Sequence, residues 1–569
     1  AATYYVDFAY GGIAYNGLSP SPAGVDGPFP TIEHAITVAE SNGDSGDTIF
    51  VRAVGTYTQP LTITEDGIKL IGYEDSVNAT TGWSDLDDGR GVPANYNEMR
   101  GLVNGMPVMH EQPEINLGDR TAGKAIDIKG DNVVVRNFTI HDCFYGINSG
   151  ATTNLTVENI NGYSFGPLIV KDWGRGINLS TVTQSTVKNC RILNAGGYGV
   201  SLTEFSTGTT IVDTEAYSDE GDPGQGEGDG CDYFFLIAHT SSATISNCRA
   251  ERNDGGDGVF QEHGGHGFVL EGTDPNKNCH SNTITDSTAI QVRQAVWLLG
   301  QNSAYNTVKK FYATRGDLND NVGGSIYIGN GAHSNTVRRT FVQNARGGVT
   351  FSYDVNQTGS DLYSGFGNII ENCIFERCEN AVLFNPHNGD HAKLAKDNTF
   401  RNCTFTGRVT PTQYVVKPDG TYEDSRGLFY AHRNNENTAF VNCIFSDFTV
   451  KEFKNCVLCS GKPYYQVDAS FEHCCLFQCG DGNTATDEGF PESQSAMDAD
   501  IHYVDSVFAL SDPILNTITY MPTSVAIDEG TAFVPETEDY DGSPRWLGIG
   551  NPVDIGAQEK QGSGGAWSQ

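Results

Sequence analysis

Short runs of alternating apolar and polar residues recur along most of this chain, each closed by Gly, Asn or Asp. Ala125-Ile126-Asp127-Ile128 is followed by Val133-Val134-Val135-Arg136-Asn137, and Gly199-Val200-Ser201-Leu202 by Thr210-Ile211-Val212-Asp213. Gly267-Phe268-Val269-Leu270 pairs with Asn282-Thr283-Ile284-Thr285-Asp286, Ala295-Val296-Trp297-Leu298 with Asn306-Thr307-Val308, and Ser325-Ile326-Tyr327-Ile328 with Asn335-Thr336-Val337. Alternation of this kind marks strands with one buried face. A repeated phrase every 22–35 residues or so marks a β-solenoid, since a propeller blade needs about 40–45 residues. A sandwich would not repeat one phrase, and the leucine framework of leucine-rich repeats is absent.

The first 75 residues read as an entry segment. Strands are expected at Tyr4–Asp7, Gly46–Val51, Leu61–Ile63 and Ile68–Tyr73. Between them Glu33–Ala39 forms a short amphipathic helix with Thr31 as its N-cap. Such a helix would cap the first coil, whose open end otherwise exposes core and unpaired strand edges. Residues 76–125 read as a loop excursion, 126–480 as the repeat core, 481–560 as a closing segment and 561–569 as a linker-like tail.

The chain carries 71 acidic against 35 basic residues, a net charge of −36, so a basic face for nucleic acid is not expected. No run of about 18 or more apolar residues exists to span a membrane. Seven of the 14 cysteines follow an asparagine: Cys190, Cys248, Cys279, Cys373, Cys403, Cys443 and Cys456. A fixed place in a repeat suggests stacked, inward, free thiols rather than a disulfide framework. Cys456, Cys459, Cys474, Cys475 and Cys479 are less regular and leave a disulfide or a metal open.

Aligning the strands places Val200/Leu202, Phe268/Leu270, Val296/Leu298, Ile326/Ile328, Val382/Phe384 and Phe429/Ala431 inward. Ser201, Val269, Trp297, Tyr327, Leu383 and Tyr430 then face out, followed by Thr203, Glu271, Leu299, Gly329, Asn385 and His432. Exposed aromatics beside hydrogen-bonding groups suit sugar rings, so Trp297, Tyr327, Tyr430 and His432 are candidate substrate contacts. Loops covering these aromatics are an equally good reading. The polar loops before the strands should lie side by side as a cleft wall. The densest is Asp254–Glu271, D-G-G-D-G-V-F-Q-E-H-G-G-H-G-F-V-L-E, with Asp254–His266 expected as loop and Gly267–Glu271 as platform strand.

Two chemistries could use that wall. For β-elimination, His263 or His266 would remove the proton next to a uronic acid carboxylate, which Arg293, Arg315 or a cation neutralises. For hydrolysis, Glu262 and Glu271 with Asp229, Asp254 or Asp257 would form the carboxylate pair. Asp222, Glu227, Asp229 and Asp254 are candidate Ca²⁺ ligands, since that ion takes carboxylate oxygens. The spacing is not that of an EF-hand, a zincin H-E-x-x-H, a phosphate loop or a nucleophile elbow.

The opening segment with its capping helix, the repeats, and the closing phrases Asp539–Arg545 and Asp554–Glu559 resemble secreted right-handed parallel β-helix proteins. That group is rich in polysaccharide lyases, C5-epimerases and glycoside hydrolases. The resemblance implies an all-β right-handed solenoid with an N-terminal capping helix and long loops on one face. It also implies a secreted, monomeric enzyme cleaving an acidic polysaccharide, by elimination first and hydrolysis second, with a non-catalytic surface adhesin as a third reading. The start Ala1-Ala2-Thr3 fits a mature secreted chain. N-G-x-E-x-I-R and D-P-H segments of related lyases and epimerases are absent, so no family's catalytic set is carried over.

Overall fold

The structure is a computed structural model. It describes residues 1–73, 112–166, 174–218, 231–252, 265–314, 324–353, 365–386 and 395–407, apart from positions 13, 20, 23, 44, 54, 346 and 379. Beyond these it describes 415–416, 422–423, 427–431, 435–446, 457–459, 467–477, 499–504, 507–508, 514–516 and 521–522. It forms two compact units, Ala1–Glu271 with Asn276–Val292, and Gly272–Pro275 with Arg293–Gln569.

In the first unit the helix Ile32–Ser41 buries Ile32, Ala35, Ile36 and Ala39, and the Thr31 hydroxyl accepts from the His34 amide at 3.2 Å. Parallel strands then stack coil on coil. Leu61–Ile63, Lys124–Ile128, Tyr145–Gly150, Arg175–Ser180, Tyr198–Thr203, Tyr233–Ala238 and His266–Glu271 pair in that order as one platform. The coil also includes Glu114–Asn116, paired with Thr56–Tyr57, inside the stretch read as an excursion. The second wall is made of strand pairs: Thr186–Lys188 with Arg191–Ala195, Thr210–Val212 with Glu215–Ser218, Thr244–Ser246 with Arg249–Arg252, and Thr283–Thr285 with Thr288–Ile290. Phe235 and Phe268 stack in the core at 4.7 Å, 3° from parallel.

The second unit repeats the plan. Its platform strands include Val296–Leu299, Gly324–Gly329, Gly347–Tyr353, Asn380–Pro386 and Gly427–Ala431, all parallel. Inside it Phe375, Phe405 and Phe445 stack rung to rung at 4.7 and 5.0 Å, and Phe400, Phe440 and Phe471 at 4.7 and 5.0 Å.

The repeated phrase now has a structural meaning. Its leading Asn lies in the core: Asn306, Asn335, Asn368 and Asn398 are buried, and each of the first three amides donates to the side-chain oxygen of the next at 3.0–3.1 Å. Thr faces out and Val or Ile faces in. The later Asn takes the left-handed conformation that turns the chain, as at Asn189, Asn247, Asn372, Asn402 and Asn442. Asn tolerates that conformation better than most residues. The Cys after it points inward and its thiol donates to a backbone carbonyl, as Cys373 does to Glu371 at 3.1 Å. Cys143, Cys190, Cys231, Cys248, Cys373, Cys403 and Cys443 are free and buried, and Cys279, Cys378, Cys474 and Cys475 are buried as well.

Candidate active site

At the start of the platform strands from Lys124–Ile128 to His266–Glu271 two successive residues face the core. Gly176 and Gly199 fill the first place because a Cβ there would lie 2.3 Å from Ile192 Cγ2 and 2.8 Å from Ala216 Cβ. This turns the residue before them outward at the corner between the two walls. Tyr145, Arg175, Tyr198, Tyr233 and His266 hold that place in register on five successive rungs.

Each member of the file is held by its neighbours. The Arg175 guanidinium lies 4.6 Å from the Tyr198 ring centre and 5.9 Å from that of Tyr145, within cation–π range. It donates to Asn178 Oδ1, which also accepts from Ser201 Oγ at 2.8 Å. Asn178 donates to Asn148 at 2.7 Å, and Asn148 to Asp127 at 2.6 Å. Tyr198 stacks on Tyr233, and Tyr233 on His266, both at 5.3 Å. Burial pushes the Tyr198 hydroxyl up, with Arg175 opposing.

The other wall carries a buried charge cluster of its own, and one strand of it ends at the corner. Arg191, Glu215 and Arg249 share one outward register position, and Glu251 lies two residues beyond Arg249. Glu215 approaches Arg191 Nε at 3.6 Å and Arg249 Nε at 3.7 Å, while Glu251 takes the Arg249 Nη2 at 2.5 Å. All four are buried. Burial pushes the Glu215 carboxyl up to about 8; the Arg249 charge opposes this and the Glu251 charge adds to it. Burial also raises the Glu251 carboxyl. Arg252 ends this strand. A Cβ on Gly265 would lie 3.1 Å from Arg252 Cδ and 3.7 Å from its Nη1, so the guanidinium runs against the backbone one residue before His266.

The residues expected from the sequence divide as follows. His266 is not in a loop: it opens the strand His266–Glu271 and is 7% exposed, because the corner geometry seats it on Tyr233. Glu271 closes that strand, half-buried, opposite Ala238. Ser201 and Val269 face outward but are fully buried, so the outer surface is not open there. Arg293, Trp297 and Tyr327 belong to the second unit, where Trp297 and Tyr327 pack edge to face at 5.5 Å, both half-buried. Asp222, Glu227, Asp229, Asp254, Asp257, Glu262, His263, Arg315 and His432 lie outside the described residues, as does the Tyr430 side chain. Among the described residues no group of three or more His, Cys, Asp and Glu could hold a metal ion. No described helix is long and apolar enough to cross a membrane.

The sequence reading missed Arg191, Glu215, Arg249, Glu251 and Arg252. Their signal was a charged residue recurring at one repeat position, just before the polar loops.

The family model described as "Right handed beta helix region" matches residues 116–223. The fold is a right-handed parallel β-helix. No curated protein matches the chain. Among solved structures it is similar to a lacto-N-biosidase from Eubacterium ramulus, at 12% identity and TM-score 0.40 over 70% of this chain and 68% of that one. An α-1,3-glucanase from Streptomyces thermodiastaticus gives 10% identity and TM-score 0.42 over 84% and 67%. A rhamnogalacturonan lyase gives 13% and 0.37 over 74% and 95%. At these identities and scores the likenesses are too distant to carry an activity across.

Proposed function

We propose that the protein is an extracellular polysaccharide-degrading enzyme that cleaves a uronic-acid-containing chain by β-elimination at the corner of the first unit. The observation that carries this reading is Arg252 lying against Gly265, next to His266 and its stacking partner Tyr233. Elimination needs a cation on the uronate carboxylate and a base beside it, because neutralising that carboxylate acidifies the neighbouring C–H. Arg252 supplies the first, His266 the second, and Tyr233 a proton for the leaving oxygen. With the Glu215 carboxyl raised by burial, Arg191 and Arg249 leave a local excess of positive charge beside Glu251 in an acidic protein, and Arg252 ends the same wall strand, which suits an anionic substrate. Calcium stays part of this proposal through Asp222, Glu227, Asp229 and Asp254, and loss of activity on chelation with recovery on adding Ca²⁺ tests it.

One observation favours a second reading. Glu215 and Glu251 flank Arg249, with burial raising both carboxyls, and two carboxyl groups side by side are what glycoside hydrolysis uses. Digestion of a glycan panel, read by product mass, separates the two. Elimination leaves one product end short by one water, whereas hydrolysis leaves both ends saturated. Under elimination, His266→Ala and Arg252→Ala each lower kcat/KM by roughly 10²–10⁴-fold while the fold persists. Full activity in both moves the chemistry away from this corner.

A further inference from the structure

At the far end of the same platform strands two rungs are lengthened, Leu270 to His280 by six residues and an earlier one by a single residue. Ser149 to Thr153, Leu179 to Thr183 and Ile237 to Ser241 span the same in-register stretch in four steps, but Leu202 to Thr207 takes five. The insertion falls at Glu204-Phe205. Both are left-handed, with φ of 54° and 63°, the one consecutive pair of non-glycine residues in that conformation among the described residues. A bulky side chain there costs on the order of 1–3 kcal/mol, and such strain gathers where a side chain must be aimed. Inserted residues likewise re-aim side chains near functional surfaces.

What the insertion presents is an aromatic ring in a polar frame. Phe205 is 59% exposed. The Lys277 ammonium lies 5.9 Å from its ring centre and 2.8 Å from Glu204 Oε2, and His239 Nδ1 is 4.0 Å from Glu204 Oε1. The Thr207 and Ser241 hydroxyls follow on the next turn, 3.3 Å apart. A protein partner or a lipid surface would need a continuous apolar patch of a few hundred Å². One ring with a carboxylate, an ammonium, an imidazole and hydroxyls around it matches a single pyranose, apolar on its face and polar on its rim.

We propose that Phe205, Glu204 and Lys277 form a sugar-binding subsite that holds a polysaccharide without taking part in bond cleavage. This rests on the reading of the protein as a polysaccharide-degrading enzyme. The strand Tyr198–Thr203, five steps of ~3.3 Å or about 17 Å long, separates the site from the corner file, so it serves long chains rather than short ones.

The test uses the full chain and its Phe205→Gly and Phe205→Trp variants, run in native gels cast with polyuronates or neutral glucans. Glycine relieves the left-handed strain, so Phe205→Gly should melt at or above the wild-type temperature yet lose retardation by the glycan. Phe205→Trp should keep it. On the cleaved polymer, Phe205→Gly should raise KM several-fold with kcat unchanged, and short oligosaccharides should be cleaved at the wild-type rate. Wild-type retardation and polymer KM in Phe205→Gly overturn the subsite alone. A wild-type protein neither retarded by nor active on any glycan overturns both this proposal and the functional reading beneath it.

Discussion

Glu215 has an ordinary sequence context and an unusual setting. Its carboxyl is buried between Arg191 and Arg249 with Glu251 nearby. In the unfolded chain it titrates near 4.5 and in the folded chain near 8. Between those values the folded state holds a proton that the unfolded state has lost, so this residue's contribution to stability is full below pH 4.5 and fades as pH rises through 8. Glu251 adds to the same trend because its carboxyl is also raised. Glu215→Gln should flatten part of the fall in melting temperature across that window, and an unchanged pH profile would show that the carboxyl titrates normally. None of this was legible in the sequence. Arg249-Ala250-Glu251-Arg252 reads as a charged, solvated strand, and only the folded structure shows its outward side chains buried, Arg249 against Glu215 and Glu251. The polar loops drew the sequence reading instead, because their residue types are reactive, and His266, expected in a loop, opens a strand.

At the level of the element, the Asn–Thr–Val phrase was legible because each letter answers to a separate physical demand. Asn335 accepts from both the backbone and the side chain of Asn306 and donates to Asn368 and to the Ser303 carbonyl. Asn335→Leu removes an acceptor and donors from a buried stack, at about 1–3 kcal/mol for each polar group left unmade. The neighbouring Thr336 is outward, and Thr336→Val should cost less than a few tenths of that. Denaturant unfolding monitored on both variants gives the contrast, and equal losses would mean that the ladder contributes nothing beyond volume. Inward and outward assignment from alternation held for Val200, Leu202, Phe268, Leu270, Val296, Leu298, Ile326 and Ile328, all fully buried. It could not tell facing outward from being exposed, since Ser201 and Val269 face outward and see no solvent.

For the whole molecule, the excess of acidic residues sets a salt dependence. With a net charge of −36, self-repulsion opposes the compact state, and added salt screens it over a Debye length of about 10 Å at 0.1 M. The melting temperature should therefore rise between low and physiological ionic strength, as followed by calorimetry. A fall would mean that screened attractions such as the Arg249 cluster outweigh the repulsion.

The Asn–Cys turns carry a consequence for how the chain is made. Burial keeps their thiols protonated, raising Cys190 and Cys248 to about 12, so they are poor nucleophiles for exchange or oxidation. Stability in this part of the coil therefore needs no oxidant: Cys190, Cys248, Cys373, Cys403 and Cys443 contribute volume and weak hydrogen bonds, not crosslinks. Renaturation from denaturant should recover the same yield with a reducing agent present throughout as without it. Expression in a reducing compartment should likewise give folded protein without help from disulfide-forming catalysts.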